Sequence, residues 1–189
     1  DPYFVMYEPL VQLVGGSPVL IDTYPDFTID VNQVEDAITD RTKMILLNSP
    51  GNPTGVTASE EEVRSLSDLA ARHNIALVSD EIYRHFCYDG SFSSPAAYNP
   101  QSIVIDGFSK SHAMTGWRLG WIVAPEKAIE AIDTLAQNFF LAPPTLSQYA
   151  AIAAFTPSLL LRAWCQAVPK AVCWAFCQAS LVAFRQPRF

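Results

Sequence analysis

Met44-Ile45-Leu46-Leu47-Asn48 is an apolar run of strand length, the loop at 49–57 behind it is crowded with Pro, Gly, Asn and Thr, and Ala76-Leu77-Val78-Ser79 is a second apolar run. Between the loop and the second run lies a helix signal. Ser59 and Glu62 stand at the spacing of a capping box, Glu60 and Glu61 suit the positive end of a helix dipole, and Val63, Leu66 and Leu69 or Ala70 form an apolar face. Strand, loop, helix and strand in that order make a βαβ unit, which sets the two strands parallel with a right-handed crossover. The predicted fold class is therefore α/β, a mostly parallel sheet with helices on both faces.

On the N-terminal side, residues 3–14 place Phe4, Tyr7, Val11 and Val14 at helical spacing and stop at Gly15-Gly16, which predicts a short helix. Residues 18–23 read as a strand closed by the turn signal Tyr24-Pro25-Asp26, and residues 31–38 as a modest helix. On the C-terminal side, residues 102–106 and 119–123 read as strands. The loop between them is barely long enough for a parallel crossover and carries no helical pattern, so these two are expected to run antiparallel. Residues 126–138 predict an amphipathic helix with Ala128, Ile129, Ile132, Leu135 and Ala136 inward, ended by Pro143-Pro144. A last helical pattern covers 145–155 and breaks at Thr156-Pro157.

Half of the 189 residues are hydrophobic, enough for one sizeable core, and the net charge of −7 with no basic run argues against a nucleic-acid partner. No uninterrupted apolar stretch is long enough to span a membrane, and the first residues lack the basic start of a signal peptide, which predicts a cytoplasmic chain without a membrane partner. Four cysteines do not make a disulfide scaffold. Cys165, Cys173 and Cys177 have neither a Cys-x-x-Cys step nor a nearby histidine, so no metal site is expected. His73 reads as a surface residue at a helix end, and neither His85 nor His112 has the neighbours of a catalytic triad. All nineteen acidic residues fall at or before Asp133, while 156–189 carries only Arg162, Lys170, Arg185 and Arg188 as charges. The expected organisation is one unit over 1–155 followed by an atypical tail over 156–189, as a shifted reading frame would produce. With no initiator methionine, the chain reads as a fragment.

In an open α/β sheet, ligands gather beyond the carboxyl ends of the strands. Four such ends are informative here: Asn52-Pro53-Thr54-Gly55 after the first strand, Asp80, Glu81 and Tyr83 after the second, Ser109 and Lys110 after the third, and Arg118 before the fourth. Taken singly, each has a plainer reading as a turn, a helix cap, a solvated lysine or a surface arginine. Together they bring an amide, a carboxylate, a phenol, an amine and a guanidinium to one sheet edge. Asn52-Pro53-Thr54-Gly55, Ser79-Asp80-Glu81-Ile82-Tyr83 and Phe108-Ser109-Lys110 through Thr115-Gly116-Trp117-Arg118-Leu119-Gly120 resemble the class I and II aminotransferases of fold type I. The resemblance runs from Asp1 to about Phe155, and the eight-residue step from Lys110 to Arg118 is the family's own.

That resemblance implies pyridoxal 5'-phosphate as cofactor, with Lys110 holding it as a Schiff base and later carrying the α-proton. Such a lysine needs a neutral fraction, which desolvation near a second cation supplies. Asp80 would face the pyridine nitrogen, Asn52 and Tyr83 the ring's phenolic oxygen, and Arg118 the phosphate as a bidentate fork. Phe4 stands where the family stacks an aromatic ring on the cofactor, or is an ordinary core phenylalanine; the sequence leaves both open. One departure is Gly107, three residues before the lysine, where the family often has a phosphate-binding serine. Ser109 is the candidate substitute. The resemblance further implies amino-group transfer from an L-amino acid to a 2-oxo acid by a homodimer, with a second, substrate-clamping domain absent from this chain. Two alternatives stand beside it: a catalytically inactive fragment, and a carbon–sulfur lyase using the same cofactor residues.

Overall fold

The computed structural model describes residues 1–88 and 90–155, together with the backbone of two further strands at 172–177 and 180–184. The readings of the tail and of the side chains of Cys165, Cys173 and Cys177 lie outside the described residues.

β1 (Met44–Asn48), β2 (Ala76–Asp80) and β3 (Ile103–Gly107) run parallel, with Asn48 level with Asp80 and Asp80 level with Ile105. β4 (Gly120–Ala124) is antiparallel to β3, as the short connection requires, and the backbone of β5 (Val172–Cys177) and β6 (Ser180–Phe184) continues the sheet antiparallel. The strands lie side by side in chain order.

Helices cover both faces because alternate residues of each strand point to opposite sides. On one side Val104, Trp121 and Val123 pack with Phe108 and with Ala151 of α6 (Thr145–Phe155). On the other, Ile103, Ile105, Ile122 and Ala124 pack with Ile129 and Ala136 of α5 (Glu126–Phe139). Leu47 and Leu77 pack with α3 (Glu60–His73) and with Val34 of α2 (Val31–Asp36).

α3 begins where the sequence puts it. Ser59 Oγ accepts from the Glu62 N–H at 3.2 Å, and Glu62 Oε2 accepts from the Ser59 N–H at 2.6 Å. Its other end closes on Asn74 in the left-handed region, φ 53°, one of the few side chains that tolerate it. There Arg72 and His73 both reach Glu35, at 3.1 and 3.3 Å, and their hydrogen bonds hold the Glu35 carboxyl below its ordinary range.

Several expectations are corrected. The apolar run at 18–23 forms no strand; its backbone meets the first residue, with the Asp1 amino group on the Ile21 carbonyl and the Thr23 N–H on the Asp1 carbonyl, and the turn that follows, with the Phe27 N–H on the Thr23 carbonyl, and a ladder needs a longer partner. α1 spans Tyr7–Leu13, shorter than 3–14, and buries none of its residues. β1, for all its apolar run, is an edge strand among the described ones, with Met44 exposed. The loop between β3 and β4 contains α4 (Phe108–Ser111) and a 3-10 turn at Thr115–Trp117, both too short to display a period. Leu135 of α5 faces outward, 57% exposed. No helix among the described residues is long and apolar enough to cross a membrane.

Candidate active site

The register of β1 on β2 places Asn48 beside Asp80, and this adjacency builds the floor of the site. Asn48 Nδ2 donates to the Asp80 carbonyl at 3.3 Å, and Asn48 Oδ1 accepts from the Asn52 N–H at 2.8 Å. The loop is thereby folded back over the strand ends. Gly51 and Gly55 close it through Gly51 N–H to the Val56 carbonyl (2.9 Å) and Gly55 N–H to the Gly51 carbonyl (2.7 Å), and Gly55 takes the positive φ of 75° that this turn requires.

Asp80 ends β2 half-buried. Its Oδ1 accepts from the Ile82 N–H at 3.1 Å, and its Oδ2 from the Tyr7 hydroxyl of α1 at 2.6 Å. Burial, and then the Asp80 carboxylate, push the Tyr7 phenol far above its ordinary range, so it is a permanent donor. Phe4 packs edge-on against Tyr7 with ring centroids 5.6 Å apart.

Tyr83 follows β2 by three residues, and Lys110 sits in α4 after β3. The structure brings the two together: Lys110 Nζ lies 5.6 Å from the centre of the Tyr83 ring. Lys110 is exposed, so the described residues alone do not supply the desolvation expected for it. Ser109 is half-buried one residue earlier on the same short helix.

Arg118 closes the 3-10 turn with φ 52° and ψ 53°, left-handed backbone that an arginine seldom adopts. Its Nη1 donates to the Thr115 carbonyl at 2.6 Å, and Ser147 of α6 donates to the Trp117 carbonyl at 2.7 Å, tying the turn to the body of the chain. Gly107, which stands where the family often has a serine, pairs with Gly120 across the β3–β4 ladder. A Cβ there would stand 3.0 Å from Gly120 Cα and 3.1 Å from the Leu119 carbonyl oxygen, so the strands would have to part by a few tenths of an ångström to admit one.

Three features beneath these residues were given no role in the site by the sequence. Tyr7 was assigned only to a helix face. Arg84, next to Tyr83, places its Nε 2.7 Å from Oδ2 of the buried Asp106. Glu81 has no exposed surface; burial pushes its carboxyl up to about 7 against a 2.6 Å hydrogen bond from Ser94. His85 and His112 lie nearby, both held below the ordinary histidine range chiefly by burial, with His112 Nδ1 2.8 Å from Ser111 Oγ. A cavity of about 490 Å³ opens between the loop at 54–59 and Phe86, Tyr88 and Ser91; none of Asp80, Tyr83, Lys110 or Arg118 lines it.

Residues 1–172 match the family described as aminotransferase class I and II. Over 158 residues the chain is 42% identical to the probable aspartate/prephenate aminotransferase of Thermus aquaticus, covering 82% of this chain and 41% of that one. Over 161 residues it is 42% identical to the aspartate aminotransferase of Bacillus subtilis, with the same coverage. Among solved structures, the aspartate aminotransferase from Thermus thermophilus with maleate superimposes with a TM-score of 0.83 at 38% identity, over 88% of this chain and 44% of that one. The chain spans about two-fifths of the length of the curated relatives it matches.

Proposed function

Because this chain belongs to the class I and II aminotransferase family, we propose that its protein moves an amino group from an L-amino acid to a 2-oxo acid, using pyridoxal 5'-phosphate held at the strand ends described above. The observation that carries this is the convergence of Asp80, Tyr83 and Lys110, with Tyr7 bonded to Asp80 and Lys110 over the Tyr83 ring. The donor set fits the cofactor group by group. An aldehyde calls for an amine, a ring nitrogen for a carboxylate, a ring oxygen for an amide or phenol, and a phosphate for a guanidinium.

When bound, the cofactor supplies the electron sink that lets a bond at the substrate α-carbon break. Lys110 Nζ would hold the cofactor through its aldehyde and would carry the α-proton of the substrate. Asp80, held in place by the Tyr7 hydroxyl and the Ile82 N–H, would face the ring nitrogen and keep it protonated. Asn52 and Tyr83 would hold the ring oxygen, Phe4 would pack against the ring, and Arg118 and Ser109 would bind the phosphate. The substrate-clamping part lies in the remainder of the protein, which acts as a homodimer.

The test is covalent. Full-length protein incubated with pyridoxal 5'-phosphate and reduced with borohydride should carry the cofactor's mass on the peptide containing Lys110. Lys110→Ala should abolish both the adduct and the visible absorbance and reduce turnover by roughly 10²–10⁴-fold. A reduced adduct on another lysine, or none, overturns the reading.

A further inference from the structure

We infer that Arg84 and Asp106 are positioning residues, a buried ion pair that fixes the Tyr83 phenol relative to the Lys110 amine; this rests on the cofactor site proposed above. The parallel ladder between β2 and β3 ends at Asp80 and Ile105, extended by one bond from the Glu81 N–H to the Ile105 carbonyl at 2.8 Å. Tyr83 and Lys110 both lie beyond it, on a turn and on a four-residue helix. The β3–β4 ladder reaches the start of the lysine helix, with the Phe108 N–H on the Leu119 carbonyl at 3.2 Å, but among the described residues no ladder bond joins the lysine segment to the tyrosine segment.

The ion pair spans this gap. Arg84 is the residue after Tyr83 and starts the 3-10 turn Arg84–Phe86, its own N–H donating to the Glu81 carbonyl at 2.9 Å. Asp106 lies on β3 just ahead of the helix that carries Lys110, and its Oδ1 accepts from the Gly107 N–H at 2.6 Å. Its other oxygen, Oδ2, meets Arg84 Nε at 2.7 Å, with the Asp106 side chain 1% and the Arg84 side chain 13% exposed. One carboxylate thus grips the start of the lysine segment with one oxygen and the tyrosine segment with the other. The contact between Arg84 Nε and Asp106 Oδ2 is a short charge–charge approach shielded from water, and the attraction of opposite charges draws the two segments together. Burying two charges stabilises little in net terms, and setting geometry is the use such a pair serves here.

The test replaces the pair without changing net charge. In full-length Arg84→Met/Asp106→Asn protein, pyridoxal 5'-phosphate affinity should fall roughly tenfold. The pH midpoint of the bound cofactor's absorbance should rise by roughly one unit, because a displaced Tyr83 hydroxyl no longer lowers the proton affinity at the ring. In a Tyr83→Phe background the same double substitution should shift the midpoint little, since the effect runs through that hydroxyl. Arg84→Lys, which keeps the charge and loses the planar fork, gives the same readout should the double variant not fold. A folded variant with wild-type affinity and midpoint overturns the inference, as does a full shift that persists in Tyr83→Phe. Failure of the wild-type protein to bind the cofactor would instead overturn the proposed function.

Discussion

Glu81 is a carboxyl with no exposed surface, buried beneath a site whose chemistry does not need it. Burial raises it to about 7; the Ser94 hydrogen bond and the Arg84 charge pull the other way, and the Asp106 charge adds to the rise. An acid raised on folding binds its proton more tightly in the native state between its unfolded value of 4.5 and about 7. The stability it contributes is complete below 4.5 and is lost as the pH climbs through 7. The melting temperature should therefore decline across that interval, and Glu81→Gln should make the decline shallower; equal slopes in scanning calorimetry would refute this. No sequence signal distinguishes Glu81 from an ordinary helix-capping acid, just as none links Tyr7 to Asp80 across 73 residues. Asp80, Tyr83, Asn52, Lys110 and Arg118 were marked as candidates in the sequence because each follows or precedes a strand within a dense motif. Tyr7, Arg84 and Asp106 were not, because their roles come from contacts made across the sheet.

Among the elements, α3 is the most completely specified by local chemistry, with a capping box at one end and a left-handed asparagine at the other. Ser59→Ala should cost about 1 kcal/mol in urea unfolding, since it strips an acceptor from the first turn and leaves the core untouched. A loss below a few tenths of that would show that Glu62, which also accepts from the Ile29 N–H at 2.6 Å, holds the helix start alone. The four strands β1–β4 were readable because their apolar runs are short and bounded by loop residues. The run at 18–23 has the same composition and fails as a strand, because sequence registers apolarity but not the presence of a neighbouring backbone. α4 escaped notice because four residues make barely one turn, and the turn it makes is dictated by the strand pairing on either side.

Across the whole molecule, Leu13, Val14 and Val19 are exposed at one end of α1, at 80, 82 and 69%, and Leu141 and Leu146 at another place, at 85 and 77%. A partner subunit is one means of covering such side chains, and the homodimer proposed above supplies one. Sedimentation of the full-length protein should give a dimer, and Leu13→Asp with Val14→Asp should shift it toward monomer; a wild-type monomer at micromolar concentration would refute the homodimer. The sheet has one further property. Its strands stand in space in the order in which they occur in the chain. Each described strand after β1, as it leaves the ribosome, therefore finds a neighbouring strand already made. Synthesis itself supplies a folding order from β1 to β4, and the edge that grows is the one nearest the ribosome.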